Sequence, residues 1–233
     1  MGRGYRPRAQ VGSKTGVPPS RSRSLVQRLG TDKAMTRMGR DEIFLTFAII
    51  ESANALAAIE EVRQLASVRE HVAPGVERRE NGAVFRAIRL ALQSSANVSK
   101  VFWPQGASGD SARRRAENLR ALTELPERHG LSNRTLRNHI EHMDERLDGW
   151  TQADPRPFLT FELVVHEGEK GPPEKHAVLL ECTAIVYDAE ADEVLLFGET
   201  FSLAQLHADV LAVRDAASRG MGSLMAKWPA QEV

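Results

Sequence analysis

The stretch from Asn133 to Trp150, N-R-T-L-R-N-H-I-E-H-M-D-E-R-L-D-G-W, packs three arginines, two histidines and four acids into eighteen residues. Three readings compete for it: a salt-bridged helix surface, a metal site, or the working edge of an enzyme. As a helix surface, Arg137 pairs with Glu141, and Asn138, His142 and Arg146 form a second row four residues apart. Each such pair contributes only a few tenths of a kcal/mol. That explains the acids better than it explains two histidines, middling helix formers, within four positions. A metal site fits worse. His139 and His142 are three apart, but H-I-E-H is not H-E-x-x-H and falls one residue short of the inverted zincin pattern. The single cysteine, Cys182, rules out a multi-cysteine zinc site and an intrachain disulfide. Neither a metal nor another cofactor is expected.

These residues need elements to hold them. Leu136, Ile140, Met143, Leu147 and Trp150 recur at steps of four, three, four and three, so the stretch reads as one continuous helix, capped by Ser132 or Asn133. Three helices precede it. The first, Arg40 to about Arg69, repeats Ile43, Phe47, Ile50 and Ala57 alongside Leu56, Ile59 and Val62. The second spans Gly82 to Trp103, with Val84, Ile88, Ala91, Leu92, Ser95, Val98 and Phe102 inward. The third runs from Ser111 to Arg128, with Pro126 able to shorten it and Gly130 as its C-terminal cap. After Asp154-Pro155 the period changes. Phe158–His166, Val178–Tyr187 and Glu193–Phe201 read as three strands of an antiparallel meander. Ser202, with Gln205 completing a capping box, opens a last helix on Leu203, Leu206, Val210, Val213 and Ala217. The expected fold is mainly α (α+β): an up-and-down helical bundle over 38–152, then a three-stranded meander and a final helix over 153–227 packed on it.

Arg137 to His142, R-N-H-I-E-H, has the form R-N-x-x-x-H on the fourth helix of an apparent bundle. This resembles the signature of the HEPN superfamily, helical-bundle proteins among which many are metal-independent ribonucleases of toxin–antitoxin, antiviral-defence and RNA-processing systems. The F-W-P at 102–104, the L-R of the third helix and H-M-D at 142–144 look like abortive-infection members. The resemblance covers about residues 40–152 and leaves the strands unexplained. Toxin members paired with a nucleotidyltransferase antitoxin tend to carry Tyr two residues after the His. Asp144 stands there, so no modification of that tyrosine carries over.

The resemblance implies roles for three residues. Arg137 would bind the scissile phosphate through its planar, permanently charged fork. His142 would move protons, its unperturbed pKa being about 6.5. Asn138 would orient one of them. The RNA 2′-hydroxyl would be the nucleophile, so DNA should be inert. On a straight helix Arg137 and His142 stand about 140° apart and roughly 7.5 Å along the axis. One chain then grips a phosphate poorly, and a homodimer through the fourth helix would place two sets around one cleft. Asp144, His139 and Arg146 are supporting candidates, Asp144 to hold an imidazole or pair with Arg137. His139 borders the apolar face and reads more readily as structural. Ser94, Ser95 and Asn97 read as packing. His166, His176 and His207 lie in separate elements, and Phe161, Phe197 and Tyr187 read as strand packing.

Composition frames these readings. Of 233 residues, 42% are hydrophobic and 27% charged, as in globular domains. The zero formal charge conceals an asymmetry. Residues 1–37 hold nine Lys/Arg against one acid, so +8; the remaining twenty-two against thirty acids give −8. The Gly/Pro/Ser/Arg-rich 1–37 should be a disordered basic extension, with Met35 and Met38 as alternative starts. An acidic body argues against strong non-specific nucleic-acid binding. Unbroken apolar runs are too short to span a bilayer, and no signal peptide is legible, so a cytoplasmic location is expected with no membrane partner. Three functions remain open: an RNA-cleaving toxin or defence effector with an antitoxin partner, a non-catalytic HEPN-like module that binds nucleotide, RNA or protein, and a plain structural bundle.

Overall fold

The computed structural model describes residues 39–69, 77–104, 109–152, 160–166, 177–178 and 180–226. The expected basic extension at 1–37 and His176 lie outside them. Helix predominates. Helix α1 covers Arg40–Arg69, α2 Glu77–Phe102 and α3 Gly109–Thr123. A short 3-10 turn, Gly130–Ser132, leads into α4, Arg134–Glu141, and α5, Met143–Gln152. Strands β1 Thr160–Val165, β2 Thr183–Asp188, β3 Glu193–Leu196 and β4 Glu199–Ser202 precede α6, Leu203–Met225.

α1 packs along α2 and α6, and these three helices supply most of the core. α2 buries the expected face, Val84 through Phe102, together with Phe85. On α1, Leu45, Ala48, Ala55, Leu56, Ile59 and Val62 are buried, whereas Ile43, Phe47 and Ile50 are exposed. α1 is thus apolar on two sides. Its length and composition alone would suit a membrane-crossing helix, although 44% of its most apolar window is buried inside the molecule. α3 stops at Thr123, short of Arg128, because Pro126 disfavours helical backbone at the residue before it. Glu124 closes the helix in the left-handed region, φ 57°. Gly130 accordingly begins the 3-10 turn and does not cap α3. Ser202 caps α6 by accepting from the Gln205 amide N–H, while the Gln205 side chain donates to Asp209, at 3.2 Å each, so the box is half formed.

The sheet corrects the expected three-stranded antiparallel meander. It has four strands in the order β1-β2-β3-β4, and β1 runs parallel to β2. Residues 166–182 separate them, long enough for the crossover that parallel neighbours need. The run Glu193–Phe201 is a hairpin, β3–β4, pairing Leu196 with Glu199 around Phe197 and Gly198. Both turn residues have positive φ, 48° and 88°, as a two-residue type I′ turn requires.

Candidate functional site

Asn133 starts α4: its side-chain oxygen accepts from the Thr135 N–H at 3.0 Å. The expected single helix kinks at His142, whose φ −123° and ψ 41° leave the helical region. The hydrogen-bond ladder survives, with His142 N donating to Asn138 O at 3.0 Å and Arg146 N to His142 O at 2.9 Å. The two halves answer to different neighbours. α4 is held to the bundle by buried Arg137 and His139, whereas α5 buries no residue fully and rests Trp150 beside Phe197, 6.4 Å between ring centroids.

The candidate residues face opposite sides, as about 140° of helical rotation between them already requires. Arg137 turns inward and is only 2% exposed. Its Nη1 donates to the Trp103 carbonyl at 3.3 Å, and its Nε stands 3.8 Å from Glu141. Glu141 also pairs with Lys100 at 2.5 Å. The expected Arg137–Glu141 pair is therefore present, as part of a three-residue network. Arg137 lines a cavity of about 240 Å³ with Ser95, Ser99, Asn133, Gln205 and Asp209 among its walls.

His142 turns outward, its side chain 49% exposed, with Nδ1 3.4 Å from Glu145. Asn138, His142, Glu145 and Arg146 line one open depression of about 290 Å³. The row expected at four-residue spacing is thus assembled, with Glu145 added. Asp144 is exposed on α5, and the carboxylates beside Arg137 and His142 are Glu141 and Glu145 instead.

His139 is buried more deeply than its place at the edge of the apolar face suggested. Its ring lies 6.3 Å from Phe197 and 5.6 Å from Phe201, and its Nε2 is 3.1 Å from a Glu199 carboxylate oxygen. The β3–β4 hairpin therefore closes on α4. Ser94 and Ser95 are buried, Ser95 donating to Ala91 O at 2.7 Å, and Asn97 donates to Glu51 at 2.9 Å.

Two groupings escaped the sequence reading. His129 stacks on Trp103, centroids 5.1 Å apart, and its Nδ1 accepts from the Leu131 N–H at 3.2 Å. Burial pushes its pKa below the usual histidine value, and the Asp209 carboxylate partly opposes this. Gly130 admits Asp209 here: a Cβ on it would clash with Asp209 Oδ2. The second grouping joins α1 to the β2–β3 turn. Asp192, φ 53°, accepts from Arg63 Nη2 at 2.7 Å and from the Tyr187 hydroxyl at 3.1 Å, beside an open cavity of about 420 Å³ that His166 also lines. Burial, then the Asp192 charge, raises the Tyr187 pKa well above its ordinary value. Asp192 ahead of a strand was the available signal, since Asp tolerates left-handed backbone.

Among the described residues no group of three or more His, Cys, Asp or Glu is placed to hold a metal ion. Compared with known proteins, the chain matches no family model, no curated protein and no solved structure.

Proposed function

We infer that the chain is a HEPN-like bundle that cleaves RNA without a metal, with His142 as its proton-transfer group. One observation carries this reading: the His142 imidazole lines an open depression beside Asn138 and Arg146. The phosphate role that the resemblance implies for Arg137 passes to Arg146, because Arg137 is buried and Arg146 is the exposed cation four residues beyond His142. Arg137 becomes a positioning residue that anchors α4. A mate across the fourth helix is no longer required by the geometry, since Asn138, His142 and Arg146 share one side of one chain.

The chemistry balances without an added reagent. Neutral His142 takes the proton of the RNA 2′-hydroxyl as that oxygen attacks phosphorus. The P–O5′ bond breaks, and water supplies the proton the departing 5′-oxygen needs. The products are a 2′,3′-cyclic phosphate and a 5′-hydroxyl, with no redox change. Arg146 and the Asn138 amide offset charge on the phosphoryl oxygens. Attraction to RNA is local, because residues 38–233 carry −8. A toxin or defence role with an antitoxin partner accords with this chemistry.

The test is RNA incubated with the full chain in EDTA. Cleavage is expected from wild type and is lost in His142→Ala and in Arg146→Ala.

A second reading, a non-catalytic module that binds a nucleotide, is favoured by the cavity that Arg137 lines with Ser95, Ser99 and Asp209. It predicts intact RNA in the same assay, with nucleotide binding that survives His142→Ala and is lost in Arg137→Met.

A further inference from the structure

The cavity that Arg137 lines takes walls from α2, the 3-10 turn, α4, β4 and α6. Its volume, about 240 Å³, falls below the roughly 300 Å³ at which pockets for drug-sized ligands begin, so a small molecule is its natural occupant. Two walls are charged. Arg137 is sealed from solvent, and its guanidinium has several N–H donors in a planar fork, so it can serve an acceptor besides the Trp103 carbonyl. Arg137, Lys100 and Glu141 set two cations against one carboxylate, so this network keeps a positive excess. Asp209 of α6 supplies the opposite charge and is half-buried. Among the described residues its carboxylate accepts from Gln205 and forms no ion pair. His129 stands close enough to feel that charge but does not cancel it: burial lowers the imidazole pKa, so the ring is neutral at about pH 7. Ala96, Leu131, Phe201 and Leu206 make the apolar part of the wall.

We propose that this cavity binds a zwitterion, an α-amino acid with an apolar side chain. Its carboxylate meets the Arg137 fork, its ammonium meets Asp209, and its side chain lies along the apolar wall. The charges select this class. A buried cation and a carboxylate share one small space, and each gains from a counter-charge. A simple anion would answer Arg137 and be repelled by Asp209; a simple amine would do the reverse. A zwitterion answers both and adds no net charge.

The proposal is independent of RNA cleavage, because His142 lines a different depression. It competes with the nucleotide-binding reading for the same cavity. A nucleotide would bring its phosphate charge to Arg137 with no ammonium for Asp209.

The experiment is isothermal titration of the full chain with L-leucine. Saturable binding is expected, with a raised melting temperature, since a ligand held only by the folded state stabilises it. 4-Methylpentanoate lacks the ammonium and 3-methylbutylamine lacks the carboxylate; each should bind about tenfold more weakly or worse. Asp209→Asn should weaken L-leucine by a similar factor yet leave 4-methylpentanoate no weaker. Misfolding would cost both ligands, so this contrast reads the charge alone. His142→Ala should bind L-leucine as wild type does, whatever becomes of RNA cleavage. Absence of L-leucine binding overturns the proposal. So does 4-methylpentanoate or 3-methylbutylamine binding as tightly as L-leucine, or an Asp209→Asn variant with unchanged L-leucine affinity. AMP binding where L-leucine does not would overturn it too, and would assign the cavity to a nucleotide.

Discussion

Arg137 and His142 show how far position around one helical segment can separate residue types that look equivalent in sequence. Both are polar members of one short motif, yet one is sealed against Trp103 O and Glu141 and the other meets solvent. Removing a buried, paired guanidinium strands its partners, so Arg137→Met should cost roughly 3 kcal/mol of folding stability. His142→Ala and Arg146→Ala should each stay within about 0.5 kcal/mol of wild type. Urea unfolding of the three variants measures this division; equal losses would contradict it. His129 adds a pH dependence. Its Nδ1 accepts a hydrogen bond, which a protonated ring cannot do, and burial lowers its folded pKa below the unfolded value of about 6.5. As pH falls, the unfolded chain therefore binds this proton first. The stabilisation is whole above about pH 6.5 and is lost as pH drops through the folded pKa. Melting temperature should fall more steeply between pH 6.5 and 5 for wild type than for His129→Asn; parallel slopes would contradict the assignment. Residue types in the Asn133–Trp150 stretch were legible in sequence, but the inward turn of Arg137 was not. A flanking position on a helix becomes core only when a neighbour such as Trp103 offers its carbonyl.

At the scale of elements, the helices were read well and the strands poorly, for a physical reason. A helix writes its buried face locally at three- and four-residue steps, as the inward row of α2 does. Strand pairing depends on partners far along the chain, so neither the parallel β1–β2 pair nor the split of Glu193–Phe201 into a hairpin was visible. Gly198 was the one hint, and Phe197 beside it disguised the turn because a bulky residue rarely accepts positive φ. That hairpin matters to the site, since it carries Phe197, Phe201 and Glu199 onto His139 of α4. A comparable clamp ties α1 to the β2–β3 turn through Arg63, Asp192 and Tyr187. Asp192→Asn keeps a side chain that tolerates left-handed backbone but removes the charge, so it should cost roughly 1 kcal/mol, reduced by partial exposure. Asp192→Ala should cost roughly 1 kcal/mol more, from backbone strain. Chemical denaturation of both variants checks the ordering, and equal effects would place the whole contribution in the lost side-chain contacts.

For the whole molecule, residues 38–233 form one unit in which the bundle, the sheet and α6 share a core. The mainly helical class and the closing helix were legible from period alone. The two apolar sides of α1 were not told apart, because Ile43, Phe47 and Ile50 follow the same spacing as the buried row beside them. Periodicity announces that a face is apolar and leaves open whether its partner lies in the same chain. On the proposed reading, the kinked α4–α5 segment is the part of the surface that works on RNA. The most direct measurement of that catalytic claim uses paired oligonucleotides in EDTA, one all-ribose and one with a single 2′-deoxy sugar at the cleaved position. Scission of the first to a 2′,3′-cyclic phosphate, protection of the second, and loss of scission in His142→Ala are predicted. Equal cutting of the two oligonucleotides, or undiminished cutting by His142→Ala, would contradict it.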